Sequence, residues 1–161
     1  MSDLAFLSPD TARAGDGFEP RRASPLQRAL ANTRSVRDLS LLGKIEVRGD
    51  VDAIDVDAEV VRITPRRALV LCPYERCAEM RAQLPGTVID VTAALAGLEF
   101  EGEQALRRLT DLDPASLPAA GKVADVPGLV LRDGSRFRIF VPQEYGHYVA
   151  GVVLDVLAGL E

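Results

Sequence analysis

The C-terminal part of the chain constrains the fold more strongly than any other segment. The dipeptide Asp133-Gly134 lies between two apolar runs, 129–132 and 137–141, and Asp-Gly in this position is a strong short-range signal for a β-hairpin. Pro142 ends the second strand. The residues that follow repeat apolar side chains at the spacing of one helical face, namely Val149, Val152, Val153, Val156, Leu157 and Leu160. This part of the chain is therefore predicted to form strand, turn, strand and helix.

Further upstream, short strands and helices alternate, but several strands also follow one another directly. This order favours an α+β fold, in which helices pack on a mainly antiparallel sheet. Strands are predicted at 42–48, 59–63, 68–72, 87–91 and 98–101, and helices at 26–32, 74–84 and 103–109. Residues 113–121 are expected to form a loop.

One predicted strand, 42–48, shows a clear alternation of two residues. Ile45 and Val47 fall on one side, and the charged residues Lys44, Glu46 and Arg48 fall on the other. Successive side chains of a strand point to opposite faces of the sheet. We therefore expect this strand to bury its apolar side and to expose its charged side to water.

The first 23 residues have no apolar period and contain several residues that break helices, namely Pro9, Gly15, Gly17 and Pro20. We interpret residues 1–23 as an arm that is flexible alone or ordered on a partner. A length of 161 residues favours one domain. Residues 24–161 are therefore predicted to form a single α+β domain.

Composition argues against several classes of partner and location. The chain has 19 basic and 24 acidic residues, a net charge of −5, whereas proteins that bind nucleic acid usually carry a basic face. No apolar run approaches the roughly 20 residues that cross a bilayer, so neither nucleic acid nor membrane is expected as a partner. The acidic N-terminus lacks the basic region of a secretory signal, and two cysteines cannot form a disulfide framework. These features predict a cytoplasmic protein.

Few residues could support catalysis. His147 is the only histidine, and no G-x-S-x-G nucleophile motif is present. We interpret His147 as a surface residue at the start of the last helix, and a hydrolase that uses it stays open as a third class of function. Glycine-rich phosphate loops and the H-E-x-x-H motif are also absent. No catalytic or cofactor-binding residue is therefore predicted.

The potential metal ligands are interpreted as structural residues. A closed zinc site needs four ligands, and the chain offers only Cys72, Cys77 and one histidine besides carboxylates. Both cysteines lie in apolar surroundings and are predicted to be buried as small hydrophobic residues. The acidic run from Asp50 to Glu59 does not have the pattern of an EF-hand loop and is predicted to be solvated. No metal-binding residue is predicted.

Arginine and phenylalanine side chains are the candidates for a partner interface. Arg136 and Arg138 flank Phe137 and point away from the apolar side of their strand, where they are suited to bind an anion or a partner's carboxylates. The N-terminal arm also carries apolar and basic side chains that suit an interface. The candidate interface residues are Phe6, Phe18, Arg21, Arg22, Arg136 and Arg138.

Several stretches, taken in order, resemble one protein family. Residues 38–49, DLSLLGKIEVRG, are similar to the opening pattern D-[LV]-S-x-x-G-K-[IL]-x-V-x-G of aminomethyltransferase-type, folate-binding domains. Residues 88–95 resemble the V-x-D-[VLM]-[ST] strand of those domains, and 98–109 resemble the strand, glycine and helix that follow. Residues 136–157 match the closing strand, proline and helix. The resemblance implies the α+β fold of that superfamily for most of the chain.

Short chains with only this core resemble the gamma subunit of heterotetrameric sarcosine oxidase, and residues 109–114 are similar to a segment of that family. The resemblance implies a non-catalytic assembly subunit of a complex that oxidises an N-methyl amino acid. Its partners would be larger flavoprotein subunits, and FAD, FMN, NAD, zinc and tetrahydrofolate would lie on those subunits. The alternative is a stand-alone folate-binding-like or aminomethyltransferase-related domain.

One departure from the family pattern concerns folate. Folate-using members carry Y-T-G-E-x-G-[FY]-E before the closing strand, whereas residues 131–138 read LRDGSRFR. Arg138 stands where that pattern ends on an acid. A guanidinium offers only hydrogen-bond donors, so it cannot replace a carboxylate that accepts hydrogen bonds from a pterin. This departure argues against folate binding by the chain.

Overall fold

The computed structural model describes residues 23–160. This part of the chain contains nine β-strands and three α-helices, joined by turns, loops and short 3-10 segments. The strands are β1 Val36–Asp38, β2 Gly43–Arg48, β3 Glu59–Thr64, β4 Arg67–Cys72, β5 Thr87–Asp90, β6 Leu95–Glu101, β7 Ala119–Val123, β8 Val126–Asp133 and β9 Arg136–Pro142. The helices are α1 Cys77–Gln83, α2 Glu103–Leu109 and α3 Gly146–Ala158. The strands form two sheets in which every pair is antiparallel. The predicted α+β class is confirmed.

The C-terminal hairpin lies within the five-stranded sheet, whose order is β1-β6-β9-β8-β7. Strands β8 and β9 are joined by a tight turn in which Gly134 has a φ of 61°, a left-handed conformation that glycine adopts without a steric penalty. One face of this sheet carries Phe137 and Ile139, which are fully buried against α2 and α3. Helix α3 contributes Val149 and Val153 to the same core, so its predicted apolar stripe packs on the hairpin.

The four-stranded sheet has the order β3-β4-β2-β5. Helix α1 packs on its outer face, where Met80 and Leu84 join Ile45, Val47 and Val70 in one apolar cluster. The inner faces of the two sheets meet through another cluster, formed by Leu39, Val61, Leu69, Leu71, Leu129, Leu131 and Phe140. The layers are therefore α2 with α3, the five-stranded sheet, the four-stranded sheet, and α1.

The prediction that β2 exposes its charged side is wrong. Ile45 and Val47 are buried as expected, but Lys44 is also fully buried and Glu46 is 6% exposed. The physical reason is that β2 is a central strand of a sheet covered on both faces, so its charged side meets the five-stranded sheet. Arg48, at the end of the strand, is exposed as predicted.

Some predicted elements differ from those observed. Residues 26–32 form consecutive turns rather than a helix, although Leu26 is fully buried in the core. The predicted helix 74–84 is divided into a 3-10 turn, Tyr74–Arg76, followed by α1. Residues 113–121 contain the start of β7, which the sequence does not predict because alanine, glycine and lysine are uncommon in strands.

Other predictions concern the ends and surface of the chain. The proposed arm lies outside the described residues, except for Ala23. Within residues 23–160 no helix is long and apolar enough to span a membrane.

The acidic residues between Asp50 and Glu59 are exposed, while Val51 among them is buried, which confirms a solvated acidic surface. Cys72 and Cys77 are buried as predicted.

Candidate functional site

The two candidate interface arginines that the structure describes lie on β9. Arg136 and Arg138 occupy the side of the strand opposite to the buried Phe137 and Ile139, as the alternation predicts. The other four candidates lie outside the described residues; they are Phe6, Phe18, Arg21 and Arg22. The structure therefore gives no geometry for an interface that combines all six.

Arg138 is engaged within the chain. Its Nη1 donates to Glu59 Oε2 at 2.6 Å and its Nη2 donates to Glu59 Oε1 at 2.5 Å. These hydrogen bonds raise the pKa of Arg138 above its ordinary value. The side chain is only 13% exposed. Because β3 and β9 belong to different sheets, this two-pronged ion pair fastens the sheets together at the edge of their shared core.

Arg136 lies on a more open surface. It borders a shallow depression of about 350 Å³ together with Arg37, Glu99 and Glu101. Glu99 Oε1 is 3.7 Å from a guanidinium nitrogen of Arg37 and 4.0 Å from one of Arg136. Both arginines are more than half exposed. A mixed surface of this kind has the composition of the polar rim of a protein interface.

A cavity of about 230 Å³ lies between the sheets. Its walls are mainly apolar, and they include Glu46 and Arg67 as charged members. Glu46 Oε2 accepts from Arg67 Nη2 at 2.7 Å, and Glu46 Oε1 accepts from Arg48 Nε at 2.5 Å. This cavity is smaller than the roughly 300–1,000 Å³ of common ligand pockets, and its carboxylate is already bound by two arginines.

A second cavity, of about 310 Å³, opens beside Tyr74 and Leu41, which are each 42% exposed. Its polar lining includes Asp90 and Thr92. Burial raises the pKa of Asp90, but hydrogen bonds from Thr92 outweigh this effect, so the pKa lies below its ordinary value. Arg81 lies 3.5 Å from the same carboxylate. The cavity can accept hydrogen-bond donors, and Asp90 stays ionised there.

Lys44 is a buried charge on the side of β2 that the alternation predicts to be exposed to water. Its Nζ donates to the carbonyl oxygens of Ser40 and Leu42 at 2.7 and 2.8 Å. These bonds hold the turn that leads from β1 into β2. No local pattern predicts this role, because the alternation of β2 shows which residues share a face but not what covers that face.

The residues considered for catalysis or metal binding do not come together. His147 is exposed beside Gln143 and Glu144, and within residues 23–160 its side chain makes no hydrogen bond or ion pair. Cys72 and Cys77 lie next to each other, but the described residues hold no cluster of three or more potential metal ligands. Among residues 23–160, no hydroxyl or thiol lies within hydrogen-bond distance of His147, so the histidine has no nucleophile to activate there.

These two packed sheets with their helices define a fold of the aminomethyltransferase type. A similar fold is found in a chain of heterotetrameric sarcosine oxidase from Corynebacterium sp. U-96, solved with pyrrole 2-carboxylate, with a TM-score of 0.66 and 18% sequence identity. The match covers 86% of this chain and 95% of that chain. No protein-family model matches the chain, and no curated protein matches it.

Aminomethyltransferase T of the glycine cleavage system from Bartonella henselae has the same fold, with a TM-score of 0.55 and 18% identity. The match covers 81% of this chain and 48% of that enzyme, so the chain spans about half of the aminomethyltransferase. At this level of identity the likeness shows the fold. The family resemblance inferred from the sequence is therefore confirmed at the level of the fold.

Proposed function

We propose that this chain is a non-catalytic assembly subunit of a cytoplasmic, hetero-oligomeric complex of the sarcosine oxidase type. The observation that carries the proposal is the match to 95% of one chain of a heterotetrameric enzyme. The same fold accounts for only 48% of the matched aminomethyltransferase. A chain that matches one subunit almost from end to end fits the role of a component in a larger enzyme.

The chemistry of the described residues supports a role without catalysis. A general acid needs a pKa near the working pH, whereas the pKa values of Glu46 and Asp90 are lowered by their hydrogen-bond partners. His147 is exposed, and among residues 23–160 no carboxylate is hydrogen-bonded to it to orient it as a base. The ionised Glu46 and Asp90 therefore stabilise the fold through their hydrogen bonds and are unsuited to act as general acids.

The engagement of Arg138 supports the absence of a folate site. The family pattern has an acid at position 138, whereas here both Nη atoms of the Arg138 guanidinium donate to Glu59. We propose that FAD, FMN, NAD, zinc and tetrahydrofolate lie on larger flavoprotein subunits. The contribution of this chain is then a rigid, partly charged surface that braces those subunits.

Isolation of the native complex tests this proposal. An affinity-tagged full chain, expressed at its natural level in the source cells, should be recovered with larger chains that show flavin absorbance and oxidise an N-methyl amino acid. Arg136→Glu should reduce the recovered flavin, because it reverses a charge on the candidate interface. Arg107→Glu, a charge reversal on the exposed surface of α2, should leave it unchanged.

The alternative is a stand-alone folate-binding-like domain, which the shared fold favours. It predicts that calorimetry detects binding of a folate analogue to the purified chain. It also predicts that the tagged chain is recovered without a flavoprotein. Recovery of the chain alone, together with such binding, would reject the assembly role.

A further inference from the structure

Cys72 and Cys77 form a pair that the proposed assembly role does not use. Cys72 is the last residue of β4 and Cys77 is the first residue of α1. Their Sγ atoms lie 3.7 Å apart, and both residues are free cysteines, 3% and 5% exposed. Two thiols in van der Waals contact are positioned to form a disulfide when an oxidant removes two electrons from the pair.

Gly43 provides the space in which the two thiols meet. It pairs directly with Cys72 in the β2–β4 ladder. A Cβ atom at position 43 would lie 2.2 Å from Cys77 Sγ and 2.9 Å from Cys72 Sγ. A glycine inside a strand weakens the strand, and it often marks a close approach of other atoms. Here the atoms that approach are the two sulfurs, so any larger residue would force the pair apart.

The thiols also lie at the two ends of one surface turn. Residues 73–76 connect β4 to α1, and Arg76 N donates to Pro73 O at 3.0 Å within this turn. The turn carries Tyr74, whose exposed ring lines the 310 Å³ cavity. A covalent bond between the sulfurs would therefore close a short loop around Tyr74.

We propose that Cys72 and Cys77 are a redox modification site that forms a reversible intramolecular disulfide on exposure to a peroxide. One thiol gives up its proton, and its thiolate attacks a peroxide oxygen. The O–O bond breaks to give a sulfenic acid and hydroxide, and the hydroxide takes up the released proton to form water. The second thiol then attacks the sulfenic sulfur and displaces water. In total, two thiols and hydrogen peroxide give one disulfide and two waters, so that sulfur is oxidised and peroxide is reduced.

The geometry favours the second step over competing reactions. The sulfurs must approach from 3.7 Å to the S–S bond length of about 2.05 Å, a shift within the range of side-chain rotation. The second thiol is already in contact with the first, and its effective concentration exceeds that of a thiol in solution. The sulfenic acid is therefore trapped as an internal disulfide before a second peroxide oxidises it further.

Burial sets the rate of the first step. Burial, together with a smaller contribution from the neighbouring Cys77, raises the pKa of the Cys72 thiol to about 11. The thiolate is the reactive form of cysteine. The pair therefore reacts slowly at neutral pH, and it records sustained exposure to peroxide rather than a brief pulse.

Peptide mapping of the full chain tests the proposal directly. The native protein is incubated with hydrogen peroxide, remaining thiols are alkylated in denaturant, and monomers are digested with trypsin. Trypsin cleaves after Arg67, Arg76 and Arg81, so the two cysteines fall in separate peptides, 68–76 and 77–81. We expect these peptides to stay linked in the oxidised monomer and to separate after reduction.

Three results would overturn the proposal. They are separate peptides that carry sulfinic or sulfonic acids, linkage found only in dimers, and thiols that stay reduced while a small thiol in the same tube is oxidised. Cys77→Ser is the matched control, because the serine fits the same space and cannot form the disulfide. Its Cys72 should progress to higher oxidation states, which the wild-type pair avoids.

A second measurement tests the effect on the turn. Amide hydrogen exchange at residues 74–77 should be slower in the oxidised monomer than in the reduced one, since the disulfide closes the loop. Exchange at α3, which is remote in sequence from the pair, should not change. Equal exchange of the turn in both forms would show that the disulfide does not restrain Tyr74.

Discussion

Glu46 is a buried carboxylate that two arginines keep ionised. Burial acts to raise its pKa, but hydrogen bonds from Arg67 and Arg48 outweigh burial, so the pKa lies below the ordinary value of 4.5. A group whose pKa is lowered by folding stabilises the folded state above its ordinary pKa. That stabilisation is lost as the pH falls from about 4.5 through the lower value of the folded protein.

Glu46→Gln should therefore reduce the free energy of unfolding at neutral pH by about 1–2 kcal/mol, because both arginines are roughly half exposed and water replaces part of the interaction. Urea unfolding at neutral pH and at about pH 3 measures the effect. The difference from wild type should shrink at the lower pH. Glu79→Gln, at an exposed position, is the control, and a difference for Glu46→Gln that is independent of pH would contradict the assignment.

Local sequence patterns do not predict the ion-pair partners of individual residues. Arg138 lies on the predicted face of its strand, but its partner Glu59 is 79 residues away in sequence. Arg67, which binds Glu46, is 21 residues from it. Pairings of this kind depend on which strands become neighbours, and alternation within one strand carries no such information. The positions of the candidate arginines could thus be predicted, but not their partners.

At the scale of elements, two glycines lie in opposite environments, one crowded and one open. Gly43 lies inside β2 against two sulfur atoms, whereas nothing lies within 4 Å of a Cβ atom placed at Gly151 in α3. Gly43→Ala should lower the free energy of unfolding by about 1–3 kcal/mol through overpacking. Gly151→Ala should raise it by about 0.5–1 kcal/mol, because alanine favours the helix.

Thermal or denaturant unfolding of the two variants measures these opposite effects. The sign of the change is the test, since both substitutions add the same methyl group. Stabilisation by Gly43→Ala would mean that the space between the thiols is larger than the structure shows. Destabilisation by Gly151→Ala would mean that this face of α3 is covered.

Removing one or the other partner of the ion pair between Glu59 on β3 and Arg138 on β9 should cost different amounts of stability. Glu59→Ala leaves Arg138, which is 13% exposed, without its carboxylate, and Arg138 Nε already lacks a hydrogen-bond partner among the described residues. We expect a loss of about 1–3 kcal/mol for Glu59→Ala. Arg138→Met keeps the apolar stem and leaves Glu59, 44% exposed, to be solvated by water, so its loss should stay below about 1 kcal/mol.

Chemical denaturation of both variants distinguishes this ion pair from an ordinary surface pair. Asp52→Ala is the control, because Asp52 and its partner Arg62 are both well exposed, and it should change stability by less than about 0.5 kcal/mol. Equal losses for Glu59→Ala and Asp52→Ala would show that the pair does not fasten the sheets.

Elements with strong local signals could be predicted from the sequence, and those fixed by distant partners could not. The hairpin, α2 and α3 follow from a turn dipeptide, an acidic helix start and an apolar stripe. Strands β1 and β7 are short and have weak intrinsic preference, and each is held by a longer neighbour, β6 or β8. The division into two sheets depends on which strands pair, and no local pattern carries that information.

At the scale of the whole molecule, the proposed assembly role makes a prediction about the N-terminal arm. Residues 1–20 carry the apolar candidates Phe6 and Phe18 but few other apolar anchors, and folding them alone would cost about 1–2 kcal/mol per residue without matching burial. Deletion of residues 1–20 should leave the Tm of the isolated chain nearly unchanged and should weaken its association with the larger subunits.

Calorimetry of the isolated chain and recovery of flavin with the tagged chain provide the two measurements. The deletion separates assembly from stability, because only the assembly role predicts that one measurement changes while the other does not. Unfolding of the isolated domain after the deletion would place the arm in the core and reject this assignment.

The arrangement of strands along the chain has a consequence for the order of folding during synthesis. The four-stranded sheet takes all its strands from the continuous segment 43–90, so it is complete once that segment leaves the ribosome. The five-stranded sheet needs residues up to Pro142 and takes β1 from before that segment, with Val36 opposite Phe100. Pairing over such a separation requires a large loop to close. We therefore expect the four-stranded sheet to form first during synthesis, and β1 to pair only after β6 has been synthesised.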